Sequence, residues 1–138
     1  MHYKDQSNTL YFLDDAAHEY LLPAGCVPIT DAEAAAIRAA QAPALTQDQI
    51  IANYEAAVQA HLDAFAATWR YESILSAASY ANSTVQQFKN EALALIAWRD
   101  SVWNSCYATL AAVQAGTQPM PASPAAFVAT LPAEPAHP

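Results

Sequence analysis

Apolar residues recur at intervals of three and four between residues 47 and 69, which is the spacing of one helix face. Gln, Asp and Glu fill the opposite side. Thr46 and Gln49 form a capping box, in which the hydroxyl accepts the amide of the third helical residue and the Gln side chain reaches back to the cap. The pattern predicts an amphipathic helix over 47–69. Its apolar stripe consists of Ile50, Ile51, Tyr54, Ala57, Val58, His61, Leu62, Phe65 and Trp69.

A second long helix is predicted over residues 84–115, because Ser83 and Gln86 repeat the capping pattern and Gly116 can adopt positive φ just past the end. Together its two apolar rows cover more than half of the circumference, so we expect a central helix or one shared with a partner. We expect the two long helices to pack as an antiparallel pair, with alanine allowing their axes to approach closely. The first row is Phe88, Ala92, Leu95, Trp98, Val102, Cys106, Thr109 and Val113, and the second is Ile96, Trp103, Tyr107 and Leu110.

Shorter helices are predicted on either side of the first long helix. Thr30 and Glu33 form another capping box, which begins a helix over 31–41 that Pro43 stops. Residues 71–80 also follow a helical pattern. The apolar face of that segment is predicted to contain Ile74, Leu75 and Ala78.

The first 29 residues have the pattern of β-structure. Residues 2–4 and 9–13 flank the turn-favouring residues 5–8, which predicts a short hairpin. Residues 20–22 are predicted to add a third extended piece, ended by Pro23. An isolated hairpin is only marginally stable, so this element must pack on something else.

Residues 118–138 are rich in proline, which favours extended or polyproline structure. Ser123 and Pro124 can begin a short helix that runs to Leu131. The last seven residues cannot form a core, so we expect them to be disordered unless a neighbour holds them. The predicted fold is therefore α+β, mainly α: an N-terminal region 1–42, a helical body 43–117 and an extended tail 118–138.

Charge and hydropathy narrow the classes of partner. The 138 residues include 13 acidic and 5 basic side chains, a formal net charge of −8. Nucleic-acid binding needs clustered Lys and Arg, so this balance argues against a nucleic-acid partner. No apolar run approaches the ~18 residues of a membrane span, and the first residues lack the basic flank and apolar run of a signal peptide. We expect a cytoplasmic protein without a membrane partner.

The sequence offers little material for a cofactor or metal site. Gly25 and Gly116 are its two glycines, too few for a phosphate-binding loop. Cys26 and Cys106 lack the paired spacing of a zinc site or a disulfide framework, so we expect free thiols. No cofactor and no metal ion is expected.

Candidate catalytic groups are equally sparse. His61 near Asp63 has the composition of a general base, but a polar residue at the edge of a helix stripe is the favoured interpretation. The adjacent acids Asp14 and Asp15 follow the hairpin, where solvated turn residues are normal. Cys106 lies on the inner seam of a helix, where a free cysteine behaves as a small hydrophobe. We expect no catalytic site, and so a protein that is not an enzyme.

The most unusual local feature is an aromatic cluster on the second long helix. Trp98, Arg99, Trp103 and Tyr107 occupy three successive turns, and the two Trp residues are about 140° apart around the axis. One interpretation is a helix buried on both flanks, with Arg99 covering an aromatic face. The other is a surface that a second chain covers, because Trp, Tyr and Arg dominate interface energetics. The candidate partner-binding residues are Trp98, Arg99, Trp103, Tyr107, Tyr11 and Phe12.

Several segments resemble a known family. Residues 22–33, LPAGCVPITDAE, follow a Tyr-rich hairpin and resemble the small tail fibre assembly proteins of tailed bacteriophages, in which a short β-segment leads into a helix through Val-x-Ile-Thr-Asp. Residues 70–83, RYESILSAASYANS, and 88–103, FKNEALALIAWRDSVW, resemble a helical module of phage tail and tail-fibre-associated proteins. The segments that close this module are Cys106-Tyr107, Val113–Gly116 and Pro119–Pro121.

The resemblance implies a non-enzymatic partner of a phage tail fibre protein, acting as a chaperone in the host cytoplasm during assembly. The alternative is a permanent structural component of the tail or fibre, an oligomeric adaptor retained in the virion. A strict heptad would favour a trimeric coiled coil, whereas the stripe over 50–69 drifts between two adjacent rows and suits a globular helix better. The sequence leaves open whether the protein forms a homo-oligomer.

Overall fold

The N-terminal residues form a small antiparallel sheet. Strand β1 (His2–Lys4) pairs with β2 (Leu10–Phe12), which confirms the hairpin. Its turn is held by Asp5, whose Oδ1 accepts the amides of Ser7 at 2.8 Å and Thr9 at 2.9 Å. A third strand, β3 (Val27–Ile29), pairs with the other side of β1, so that the strand order is β2-β1-β3.

The third extended piece predicted at residues 20–22 is wrong. Residues Ala16–Leu21 form a 3₁₀ helix, because the Asp15 carboxylate accepts the amide of Ala17 and begins a helical turn. The buried Tyr3 of β1 donates its hydroxyl to Glu19 of this helix at 2.6 Å. The 3₁₀ helix therefore covers the face of the sheet that contains Tyr3.

Helix α1 (Asp31–Gln41) has the predicted bounds. Both halves of its capping box are present: Thr30 accepts the amide of Glu33, and the Glu33 carboxylate accepts the amide of Thr30. Its buried residue is Ala34, and the helix packs near β1.

The computed structural model describes all residues, 1–138, and the chain divides into two compact units, 1–45 and 46–138. The second unit is helical. Its elements are α2 (Gln47–Thr68), α3 (Ile74–Ala78) continued by a 3₁₀ turn (Ser79–Asn82), α4 (Gln86–Gln114) and α5 (Pro124–Val128). None of the helices combines the length and the hydropathy needed to cross a lipid bilayer.

The starts of the two long helices differ in how they are capped. The capping box of Thr46 and Gln49 is present at α2. The predicted cap at α4 is wrong: Ser83 accepts the amide of Val85 instead, and Val85 precedes the helix without a side-chain cap. Arg70, just past α2, adopts the left-handed conformation with φ of 72°.

Helices α2 and α4 run antiparallel, as predicted, since Phe65 contacts Trp98 while the earlier Tyr54 lies beside the later Cys106. The close approach expected from alanine is not what the core shows. Large side chains fill the space between the two long helices, and α3 approaches α4 more closely than α2 does. The buried core of this unit consists of Val58, Leu62, Ala66, Ile74, Ala77, Leu95, Trp98, Val102, Cys106 and Phe127.

Two predicted core positions lie at the surface. Leu75 is 74% exposed, because α3 turns Ile74, which was predicted to lie on the apolar face, and Ala77 inward. Phe88 is 40% exposed at the first turns of α4.

The disorder expected for the last residues is wrong, because the chain's own helices hold this segment. Phe127 of α5 is buried in the helical core. The Trp98 indole donates to the carbonyl of Pro132 at 3.0 Å, and Tyr54 donates its hydroxyl to the carbonyl of Pro121 at 2.7 Å. Nε2 of His137 lies 3.0 Å from Oε1 of Glu91. The proline-rich segment is therefore part of the helical unit.

Candidate functional site

On helix α4, one part of the predicted aromatic cluster faces the core and the other part faces solvent. Trp98 is only 4% exposed and its indole N–H donates to a carbonyl inside the protein, so this candidate residue is not part of the outward surface of the cluster. Trp103 is half-buried and Tyr107 is 56% exposed. Their rings stack with centroids 5.9 Å apart and planes 29° from parallel. The outward part of the cluster is this stacked pair.

Arg99 does not cover an aromatic face. Its Nε and Nη2 donate to Oδ1 of the neighbouring Asp100 at 3.1 and 2.9 Å. The pair is partly solvated, and an ion pair at the surface contributes ~0–1 kcal/mol. Arg99 is thus paired with Asp100 and not with an aromatic ring.

The two candidate residues of β2 belong to the first unit. Tyr11 is half-buried, and its hydroxyl lies 3.4 Å from Oδ2 of Asp5. Phe12 is 58% exposed, with its ring 4.9 Å from that of His2. His2 is held on both sides, by Asp31 at Nδ1 (2.9 Å) and by Arg38 at Nε2 (2.7 Å).

An apolar groove adjoins Tyr107 between α2, α4 and the segment that leads into α5. It encloses about 60 Å³. Cys106 lies at its floor, and burial raises the pKa of the thiol, with the Glu55 carboxylate adding to the rise. The residues that line the groove are Ile51, Tyr54, Glu55, Cys106, Tyr107, Thr109, Leu110, Val113, Met120, Pro121 and Phe127.

A second, larger cleft of about 440 Å³ lies at the other end of the helical unit. Its floor is Glu91, which is only 4% exposed. Three donors surround the carboxylate: the Tyr71 hydroxyl at 2.5 Å, Gln87 Nε2 at 3.0 Å and His137 Nε2 at 3.0 Å. A buried carboxylate is therefore kept charged by hydrogen bonds.

Aromatic rings form the walls of this Glu91 cleft. The Tyr80 ring lies 5.6 Å from both the Tyr71 and the Phe88 rings, and the Trp69 ring meets that of His137 edge-on at 4.7 Å. Arg70 and Thr68 complete the lining.

The hydrogen bonds at the floor shift two pKa values in opposite directions. The pKa of Glu91 is lowered, chiefly because Tyr71 donates to it, although burial opposes this. Burial, together with the hydrogen bond to Glu91, raises the pKa of Tyr71 to about 12. At neutral pH the phenol is thus a donor and the carboxylate an acceptor.

The candidate catalytic groups are not brought together. His61 lies edge-on to Trp98 at 5.5 Å, and its Nε2 is 3.7 Å from Glu134. Asp63 accepts the amide of Ile74 at 2.9 Å and so serves the start of α3. No three His, Cys, Asp or Glu side chains converge as they do in a metal site.

Sequence reasoning missed the Glu91 cleft. The position of Glu91 in the sequence could have indicated that it is buried. It directly precedes Ala92, which lies on the predicted inner seam of α4, and it comes one turn before Leu95. A carboxylate at such a position needs donors. The contributions of Tyr71 and His137 depend on tertiary structure and have no local signature.

Comparison of the chain with protein families, with curated proteins and with solved structures gave no match.

Proposed function

We propose that this protein is a non-enzymatic phage tail fibre assembly protein that binds a fibre subunit through the outward aromatic surface of α4. The observation that carries the proposal is the Trp103–Tyr107 stack, which is the exposed part of an aromatic cluster and continues into the apolar groove. Trp and Tyr at a surface are the residues most often central to protein interfaces. The resemblance of residues 70–83 and 88–103 to tail-fibre-associated modules supports a fibre subunit as the partner.

In this proposal the stacked rings cover apolar surface on an unassembled fibre subunit. The net charge of −8 keeps the complex soluble while that surface is unpaired. In the same proposal the Arg99–Asp100 pair, which comes one turn before Trp103 on α4, provides a polar rim, as at other interfaces.

The test is co-expression with the fibre subunit of the same phage, followed by measurement of soluble fibre trimer. Trp103→Ala combined with Tyr107→Ala is expected to remove binding and lower the trimer yield. Tyr20→Ala is the matched control, because Tyr20 is 77% exposed but lies in the other unit. Equal trimer yields from the wild type and the double variant would contradict the proposal.

The alternative is a permanent component of the tail, and it differs in whether the protein stays in the particle after assembly. A transient chaperone is absent from purified particles, whereas a retained component is present in a fixed ratio to the fibre. Light scattering on the protein alone measures self-association, and a stable trimer that buries Trp103 would favour the structural role.

A further inference from the structure

We propose that the Glu91 cleft binds the ammonium group of a lysine side chain, and that His137 occupies this site in the free protein. This inference rests on the cleft alone and is independent of the proposed fibre partner.

The floor of the cleft provides the charge. Glu91 is buried, and its hydrogen-bond donors Tyr71 and Gln87 are neutral. Among the three side chains in hydrogen-bond contact with the carboxylate, His137 is the one that can carry a positive charge, and it lies in a segment without regular secondary structure. A carboxylate can accept about four hydrogen bonds. The oxygen atoms of Glu91 can therefore accept hydrogen bonds from an ammonium group in place of the His137 imidazole.

The walls provide the selectivity. Aromatic faces attract cations, and aromatic cages around a carboxylate are a recurrent means of recognising alkylammonium groups. The rings of Tyr80 and Phe88 are each about two-fifths exposed, so they are accessible from solvent. The cleft volume of about 440 Å³ lies within the range of small-ligand sites.

Arg70 lines the same cleft. Its positive charge opposes the binding of any cation, and it opposes a ligand with two positive charges more strongly than one with a single charge. A peptide backbone beside the ammonium chain offers carbonyl oxygens to this guanidinium. The other titratable groups that line the cleft are Tyr71, Tyr80 and His137.

The probes are N-acetyl-lysine-N-methylamide and its neutral analogue N-acetyl-norleucine-N-methylamide. Binding is followed by the NMR shift of the Trp69 indole N–H, assigned with Trp69→Phe. His137→Ala is expected to bind the lysine probe with a dissociation constant of about 1 mM or below. The wild type should bind at least about threefold more weakly, because His137 competes for the site.

Control variants separate the contributions. His18→Ala removes an exposed histidine of the other unit and should bind like the wild type. Glu91→Gln keeps the shape of the floor and should abolish binding. Should Glu91→Gln fail to fold by circular dichroism, Tyr80→Leu alters only a partly exposed wall and should weaken binding about threefold.

Two results would overturn the inference. One is equal affinity of His137→Ala for the lysine and norleucine probes, which would make the cleft merely apolar. The other is a His137→Ala variant that binds the lysine probe no better than the wild type, which would show that His137 does not occupy the site.

Discussion

Tyr71→Phe removes the hydroxyl that donates to Glu91 over 2.5 Å, while the ring keeps its place beside Tyr80. The buried carboxylate then retains the donors Gln87 and His137. Any loss of stability therefore measures one charge-assisted hydrogen bond in the helical unit.

The expected magnitude follows from the acceptor and from the burial of the pair. A hydrogen bond to a charged group contributes ~1.5–3 kcal/mol, and the half-buried position of Tyr71 favours the lower end of that range. We expect the free energy of unfolding to fall by about 1.5–2 kcal/mol, which is about a 10- to 30-fold change in the unfolding equilibrium. In urea this displaces the midpoint by about 1 M.

Tryptophan fluorescence is the suitable assay, because Trp69, Trp98 and Trp103 all lie in the helical unit. The matched control is Tyr107→Phe, which removes an exposed hydroxyl without a hydrogen-bond partner and should change stability by less than about 0.5 kcal/mol. If Tyr71→Phe is no less stable than Tyr107→Phe, the hydrogen bond to Glu91 contributes nothing and the reasoning fails.

The pH dependence gives a second check on the same variant. The pKa of Glu91 is lowered from its ordinary value of 4.5 by the hydrogen bond from Tyr71. A lowered pKa in the folded state stabilises the protein above the unfolded pKa, and this contribution disappears as pH falls through the folded pKa. The stability difference between wild type and Tyr71→Phe should be full at neutral pH and shrink below about pH 4. A difference that grows in acid would contradict the assignment.

Three further predictions concern the buried core, the two cysteines and the stability at high pH. Leu95→Ala creates a cavity in the fully buried core and should cost about 3–5 kcal/mol in urea unfolding; the half-exposed Leu93→Ala on the same helix should cost about 1 kcal/mol or less. Cys26, which is half-buried, should react with Ellman's reagent in the native protein, whereas the buried Cys106 should react only on unfolding; equal rates would refute this. Because the Tyr71 pKa is raised from 10 to about 12, stability should fall as pH rises from 10 to 12, and Tyr71→Phe should lose less over that range.

Features decided within a few residues were predictable from the sequence. The capping boxes at Thr30 and Thr46 need only four residues, and both helices begin where expected. Ser83 belongs to the same pattern, but its hydroxyl accepts the amide of Val85 two residues on, because Ser side chains also favour such local turns. Residues 20–22 were misassigned, since the helical turn begun by Asp15 outweighs their apolar character.

Features that depend on tertiary contacts were not predictable. Periodicity placed Trp98 and Trp103 on separate rows of α4, but it could not determine which row faces the core. In the structure the Trp98 ring packs in the core against Phe65, and the carbonyl of Pro132 accepts its indole N–H. The proline-rich composition of residues 118–138 does not indicate which helix residues this segment contacts. The position of His137 beside Glu91 could not be predicted for the same reason.

The strand order of the N-terminal sheet makes its two edges unequal. At one edge, β3 places Pro28 opposite Tyr3, and proline has no amide hydrogen for a further ladder. At the other edge, β2 pairs with β1 on one side and has no strand on its outer side; it contains no proline, and its Phe12 is exposed. Strand addition, whether by a binding partner or by a second molecule during aggregation, is therefore directed to the β2 edge. A lysine at position 12 would protect that edge as charged residues do in other open sheets.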